Sequence, residues 1–177
     1  MAEAVVDERS RQDALAAEVG EALTSGVGIG ERLQRCAEAL CDQLDAAFAR
    51  VWTVSDDGRD LLLQASAGLY THLDGPHSRV PVGQFKIGRI AERRQPHLTN
   101  DVTTDPLVSD RDWARREAMV AFAGYPLVVG ERLVGVMALF ARHPLGEPTL
   151  RALGSVAAQV AVGIEQARLF EGLREAE

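Results

Sequence analysis

Lysine occurs once in these 177 residues, at Lys86, and cysteine twice, at Cys36 and Cys41. The remaining basic side chains are arginines scattered among acids, and the formal net charge is -7. A nucleic-acid surface needs clustered Lys and Arg to replace the counterions of phosphate, so the composition argues against one. The two cysteines stand five residues apart in a helical pattern. That offset turns them to different faces, which suits neither a disulfide nor a metal-ligand spacing. They read as small apolar residues in a reducing compartment. No apolar run approaches the ~20 residues of a membrane-spanning helix, and Met1 to Arg11 has no apolar signal-peptide core. Aromatics are scarce at 5%, yet 46% of residues are hydrophobic and 25% charged, the balance of an ordinary globular chain. The expectation is one cytoplasmic domain with added helices, free of membrane and nucleic acid.

Periodicity supplies the elements. Leu15, Val19, Ala22 and Leu23 put an apolar stripe on a helix over about Asp7 to Leu23, and the glycines between Ser25 and Gly30 interrupt it. These glycines follow no strand and precede no Lys-Ser/Thr pair, so they read as an interhelical connection, not a phosphate loop. A second amphipathic helix covers Glu31 to Leu44. Strands at Phe48 to Val54 and Leu61 to Ala67 flank Asp57-Gly58, a hairpin signal. Gly68 to Pro81 has the composition of a loop. A short helix over Ile87 to Arg94 stops before Pro96, a short strand follows at His97 to Asn100, and Ser109 or Asp110 caps a helix reaching Ala118. Val120 to Val129 and Arg132 to Arg142 form a second hairpin about Gly130-Glu131. From Glu147 to about Glu175 runs one helix of roughly 40 Å. Its seam of Leu150, Leu153, Ala157, Val160, Ile164 and Ala167 is heptad-like and suggests a partner helix.

Several stretches carry a family resemblance. Ala49-Arg50-Val51-Trp52 with Asp57-Gly58 is one, and Gly68 to His77 followed by Val80-Pro81-Val82-Gly83-Gln84-Phe85-Lys86-Ile87-Gly88 is another. Pro96 to Asp101, Asp112 to Glu117, Phe122 to Leu127 and Leu133 to Phe140 complete the set. In this order, over about Leu33 to Phe170, they resemble the GAF domain found in bacterial sensor histidine kinases and related signalling proteins. The resemblance implies an α+β fold, a PAS-like antiparallel sheet with the N- and C-terminal helices on one face. Loops and short helices cover the other face, where the family holds small ligands. The implied organisation is an N-terminal helix and connection (1–28), a core (29–146) and a C-terminal signalling and dimerisation helix (147–177).

The residues that fall on the implied ligand side are Tyr70, His72, Phe85, His97, Trp113 and Phe122. An aromatic with a polar tip gives a pocket area plus one directional bond. Against this, the favoured reading of Phe85, Trp113 and Phe122 is core closing the sheet's second face, and that of Tyr70 and His72 is exposed loop. The four histidines show no paired ligand spacing, so no metal site is expected, and the cofactor stays unknown. Relatives that attach a bilin or reduce free methionine sulfoxide use cysteines in the ligand-side region, where this chain has none. The cyclic-nucleotide constellation of other relatives cannot be assembled here. No nucleophile stands beside a base. The expectation is therefore a non-enzymatic sensory domain that binds a small molecule, forms a homodimer through its terminal helices, and relays to an output domain such as a histidine kinase. A ligand-free dimerisation module is the alternative, and a free-standing redox enzyme the less favoured one.

Overall fold

The computed structural model describes the backbone of residues 2–176 and the side chains of residues 9–171. Two helices open the chain, α1 (Ala2–Thr24) and α2 (Ile29–Leu44), followed by β1 (Phe48–Val54), β2 (Asp60–Gly68) and β3 (Arg79–Pro81). Then come α3 (Phe85–Arg93), β4 (His97–Thr99), α4 (Arg111–Arg116), β5 (Ala121–Val129), β6 (Arg132–Ala141) and α5 (Glu147–Ala176). The strands form one sheet in the order β3-β2-β1-β6-β5-β4, every neighbouring pair antiparallel.

Strand alternation divides the core in two. Side chains of adjacent residues point to opposite faces, so Ala49 and Val51 join the helix-side core while Phe48 and Trp52 join the other. On the helix side, α1, α2 and α5 bury Leu15, Val19, Leu33, Leu40, Leu153 and Val160 against Ala65, Ala67, Ala121, Ala123 and Ala141. The opposite face is built from bulk. Phe48 pairs across the strands with Phe140, and Phe140 with Phe122, so three phenylalanines stand in one row. On the other face Ala49 and Ala123 flank Leu139 in one row, and Ala121 pairs with Ala141 in the next. Large groups on one face thus stand against mostly small ones on the other.

Two glycines enforce close approaches. Gly68 ends β2 at φ +93°, and a Cβ there would lie 2.5 Å from the Ala47 carbonyl oxygen. Gly88 sits where α3 crosses β3, and a Cβ would strike the Pro81 carbonyl.

Some expectations shift. Ile29 and Gly30 belong to α2, because Gly28 is the extended N-cap and the break is confined to the three preceding residues. The stretch expected to be wholly loop contains β3, three residues pairing with β2 at the sheet's edge, where Pro81 is tolerated. Helix α3 begins two residues early, at Phe85, and ends at Arg94 in a left-handed cap instead of at the proline. The seam of α5 is largely used within the chain. Leu153, Ala157, Val160 and Ile164 are buried in its own core, and among the described residues the large apolar groups α5 exposes are Val162, Leu169 and Phe170.

Candidate functional site

In front of the phenylalanine row lies a cavity of about 340 Å³, at the small end of the ~300–1,000 Å³ usual for ligand sites. Its floor is Phe48, Arg50 and Trp52 of β1 with Ala138 and Phe140 of β6. The β2–β3 connection supplies Tyr70, His72, Pro76 and His77, the first turn of α3 supplies Phe85, Lys86 and Ile87, and residues 107–110 with Trp113 close the far side.

The aromatic walls are mutually braced. Phe48 stacks on Phe140 at 5.1 Å, Trp113 meets Phe140 edge-on at 5.1 Å, and Tyr70 meets Phe48 edge-on at 5.1 Å. Such pairs contribute roughly 0.5–1.5 kcal/mol beyond their buried area. Both indole donors are already satisfied. Trp113 Nε1 donates to the Tyr70 hydroxyl at 2.7 Å, and Trp52 Nε1 to the His77 carbonyl at 2.9 Å. Asp110 caps α4 by accepting the Trp113 backbone N–H at 3.0 Å, which fixes Trp113 at the wall.

Two cations project into this apolar surround. Arg50 is only 6% exposed; its Nε donates to Ser66 Oγ at 3.0 Å, and Ser66 in turn donates to the Tyr70 carbonyl at 2.6 Å. The guanidinium carbon lies 5.5 Å from the Phe48 ring centre and 5.7 Å from that of Tyr70. Its terminal nitrogens have no acceptor among the described residues. Lys86 Nζ stands 3.6 Å over Phe122 and 4.6 Å from the Phe140 centre, and likewise has no hydrogen bond or ion pair there. Burial pushes the Lys86 ammonium down to about 8, with the charge of Asp105 pulling weakly the other way.

Of the six site residues expected from sequence, Tyr70, His72, Phe85 and Trp113 line this cavity. Phe85 is 64% exposed at its mouth and takes a left-handed backbone, φ +58°, so it is not a core residue. Phe122 is buried under Lys86 and lies below the cavity surface. His97 stands apart on β4, where Nε2 donates to Asp105 Oδ2 at 2.6 Å. Asp105, nearly buried, also accepts the Leu107 N–H at 2.8 Å. Burial raises its pKa, but the Leu107 and His97 hydrogen bonds with the charges of His97 and Lys86 outweigh that and leave it low. Arg50, Lys86 and Trp52 were not among the expected site residues. Their signal was present: period two puts Arg50 on the same face as Phe48 and Trp52, and Lys86 is the chain's lone lysine.

One antiparallel sheet, with a helical layer behind it and a loop-roofed cavity in front, defines this as an α+β domain of the single-sheet sandwich kind. The GAF domain family model matches residues 27–165, and the chain belongs to that family, whose members are in general sensory or regulatory. Among solved structures it is similar to the GAF domain of a phosphoenolpyruvate-protein phosphotransferase from Coxiella burnetii. The two share 20% identity with TM-score 0.76, covering 94% of this chain and 98% of that one. The GAF domain of A. aeolicus nlh2, in an inactive state, shares 16% identity with TM-score 0.76, covering 90% and 98%. A free methionine-R-sulfoxide reductase from Neisseria meningitidis, in complex with its substrate, shares 17% with TM-score 0.73, covering 92% of each chain. No curated protein matches the sequence. Among the described residues no helix is long and apolar enough to cross a membrane.

Proposed function

We propose that this GAF domain is a cytoplasmic sensory unit that binds a small molecule in the cavity before β1 and β6 and relays its occupancy through the terminal helices. The core over 29–146 holds the ligand, and the segments 1–28 and 147–177 carry the signal and pair two copies, toward an output domain such as a histidine kinase. The observation that supports binding is the cavity itself: aromatic walls braced by one another, an Arg50 head engaged only through Nε, and a Lys86 head that no acceptor among the described residues engages. The strands bearing Phe48, Arg50 and Phe140 also carry Ala49, Val51 and Leu139 into the helix-side core. A ligand that favours one of two sheet positions therefore biases the helices as well.

The reading is of binding, not turnover. Cys36 and Cys41 lie on α2, behind the sheet from the cavity. Burial pushes Cys36 up to about 12 and, with Asp42 and Glu38 nearby, Cys41 up to about 11, so neither supplies a thiolate at neutral pH. Native mass spectrometry of the purified chain against its denatured mass tests the proposal. A mass excess lost on denaturation supports a retained ligand. A bare dimer, together with no response to a metabolite panel, favours the second reading, a ligand-free dimerisation module. The exposed Val162, Leu169 and Phe170 of α5 support that second reading.

A further inference from the structure

A chain with formal charge -7 places its one lysine and an arginine only 6% exposed in the same largely apolar cavity, with no ion pair to either among the described residues. Burying an unpaired cation is costly unless something completes it. The charged and titratable groups around the two heads are few. Asp110 lines the cavity but caps α4, Asp105 is engaged by His97 and the Leu107 N–H, and His72, His77 and Tyr70 complete the polar lining. Among the described residues, no carboxylate pairs with either head.

We infer that the cavity takes a small organic carboxylate with a flat apolar body, its negative charge held in the positive field of Arg50 and Lys86 and its body against Phe48, Trp113 and Phe140. The inference rests on the small-molecule reading above and names the class of ligand for that site. The charge of the lining selects a carboxylate over a phosphate. A phosphate monoester carries about -1.5 to -2, while Arg50, Lys86 and Asp110 together leave the cavity one positive charge in excess. One negative charge is what that lining balances. The braced ring surfaces suit a flat body, and the small volume excludes a large one. The lowered Lys86 pKa fits the same picture: bound carboxylate restores the charge that burial disfavours, so binding draws a proton onto Lys86 near pH 8 and weakens above it.

The test compares benzoate, benzamide and phenyl phosphate, which share one ring and differ in the head group. Tryptophan fluorescence and thermal midpoint are read at pH 7 on the wild-type chain, Lys86→Met and Lys86→Arg. The expected result is benzoate bound at least ten-fold more tightly than either other probe. Lys86→Met should lose that preference, and Lys86→Arg should keep most of it. Benzamide bound as well as benzoate overturns the carboxylate assignment and leaves the sensory reading standing, since the cavity then still takes a ligand. Phenyl phosphate bound ten-fold more tightly than benzoate also overturns it. No response to any probe, with no retained mass in the native spectrum, overturns the sensory reading together with the inference.

Discussion

Replacing Lys86 by Met should make the unliganded domain more stable, although it removes a residue of the cavity. The folded protein holds the ammonium at a pKa of about 8 instead of 10.5. Every tenfold loss of proton affinity is worth about 1.36 kcal/mol, so the full depression sets a ceiling of about 3 kcal/mol on what charged Lys86 costs the fold. Partial solvent contact and the attraction of the cation to Phe122 and Phe140, roughly 0.5–2 kcal/mol, reduce the net to about 1–2 kcal/mol. Met fills most of the same volume with an unbranched apolar chain. A gain of that size in a domain of this length corresponds to about 2–8 °C in thermal midpoint. Urea unfolding of both proteins from pH 7 to pH 10.5 provides the assay. The sign follows from proton counts. Between about pH 8 and 10.5 the unfolded chain binds the Lys86 proton and the folded chain does not, so wild-type stability rises there relative to the variant. Cys36, Cys41 and Tyr125 pull the other way in both proteins, their folded values being raised by burial, and they cancel in the difference. A variant less stable than wild type at pH 7, or a difference that does not shrink toward pH 10.5, refutes the claim that Lys86 is an uncompensated buried charge.

Gly88→Ala should cost about 1–3 kcal/mol, because its Cβ meets the Pro81 carbonyl and either α3 or β3 must move; urea unfolding gives the loss, and titration of any cavity ligand should show weakened binding as Lys86 shifts with α3. Asp105→Asn should destabilise by about 1–3 kcal/mol through the His97 and Leu107 bonds. Because the folded Asp105 pKa is lowered, the wild-type advantage is fully present above the ordinary carboxylate value of about 3.9 and fades as pH falls below it; unfolding curves at pH 7 and pH 3 check both parts. Val162→Glu with Leu169→Glu should leave stability within about 1 kcal/mol of wild type while shifting a dimer to monomer on light scattering. Glu at Val160 or Ile164 should instead unfold the chain, since both side chains lie in its own core.

The hairpins and long helices were legible because burial on one face writes a period into the sequence. Phe48, Arg50 and Trp52 alternate with Ala49 and Val51, and Leu153, Ala157, Val160 and Ile164 recur at helical spacing. What period cannot say is which object covers a face. The α5 stripe predicts burial equally well against a partner or against β5, and the structure gives most of it to its own sheet. Strand β3 escaped because three residues with a proline at the end carry no alternation to detect. The cavity was half legible. Tyr70, His72, Phe85 and Trp113 declared themselves by residue type, whereas Arg50 was hidden inside an apolar strand where its neighbours set the reading. His97 was drawn to Asp105 eight residues on, a pairing that loop closure makes and no periodicity announces.

The alanine rows behind Phe48, Phe140 and Phe122 bear on how far a disturbance in the cavity travels. A long side chain at an interface takes up backbone displacement by changing rotamer, and so acts as a shock absorber between the layers it joins. Alanine has no side-chain torsion with which to yield. Where Ala49, Ala67, Ala121, Ala123 and Ala141 meet the helices, that damping is stripped out of the strand backbone's contact. In the proposed sensory role, a ring displaced in front of the sheet would then reach the helices as movement of the whole layer.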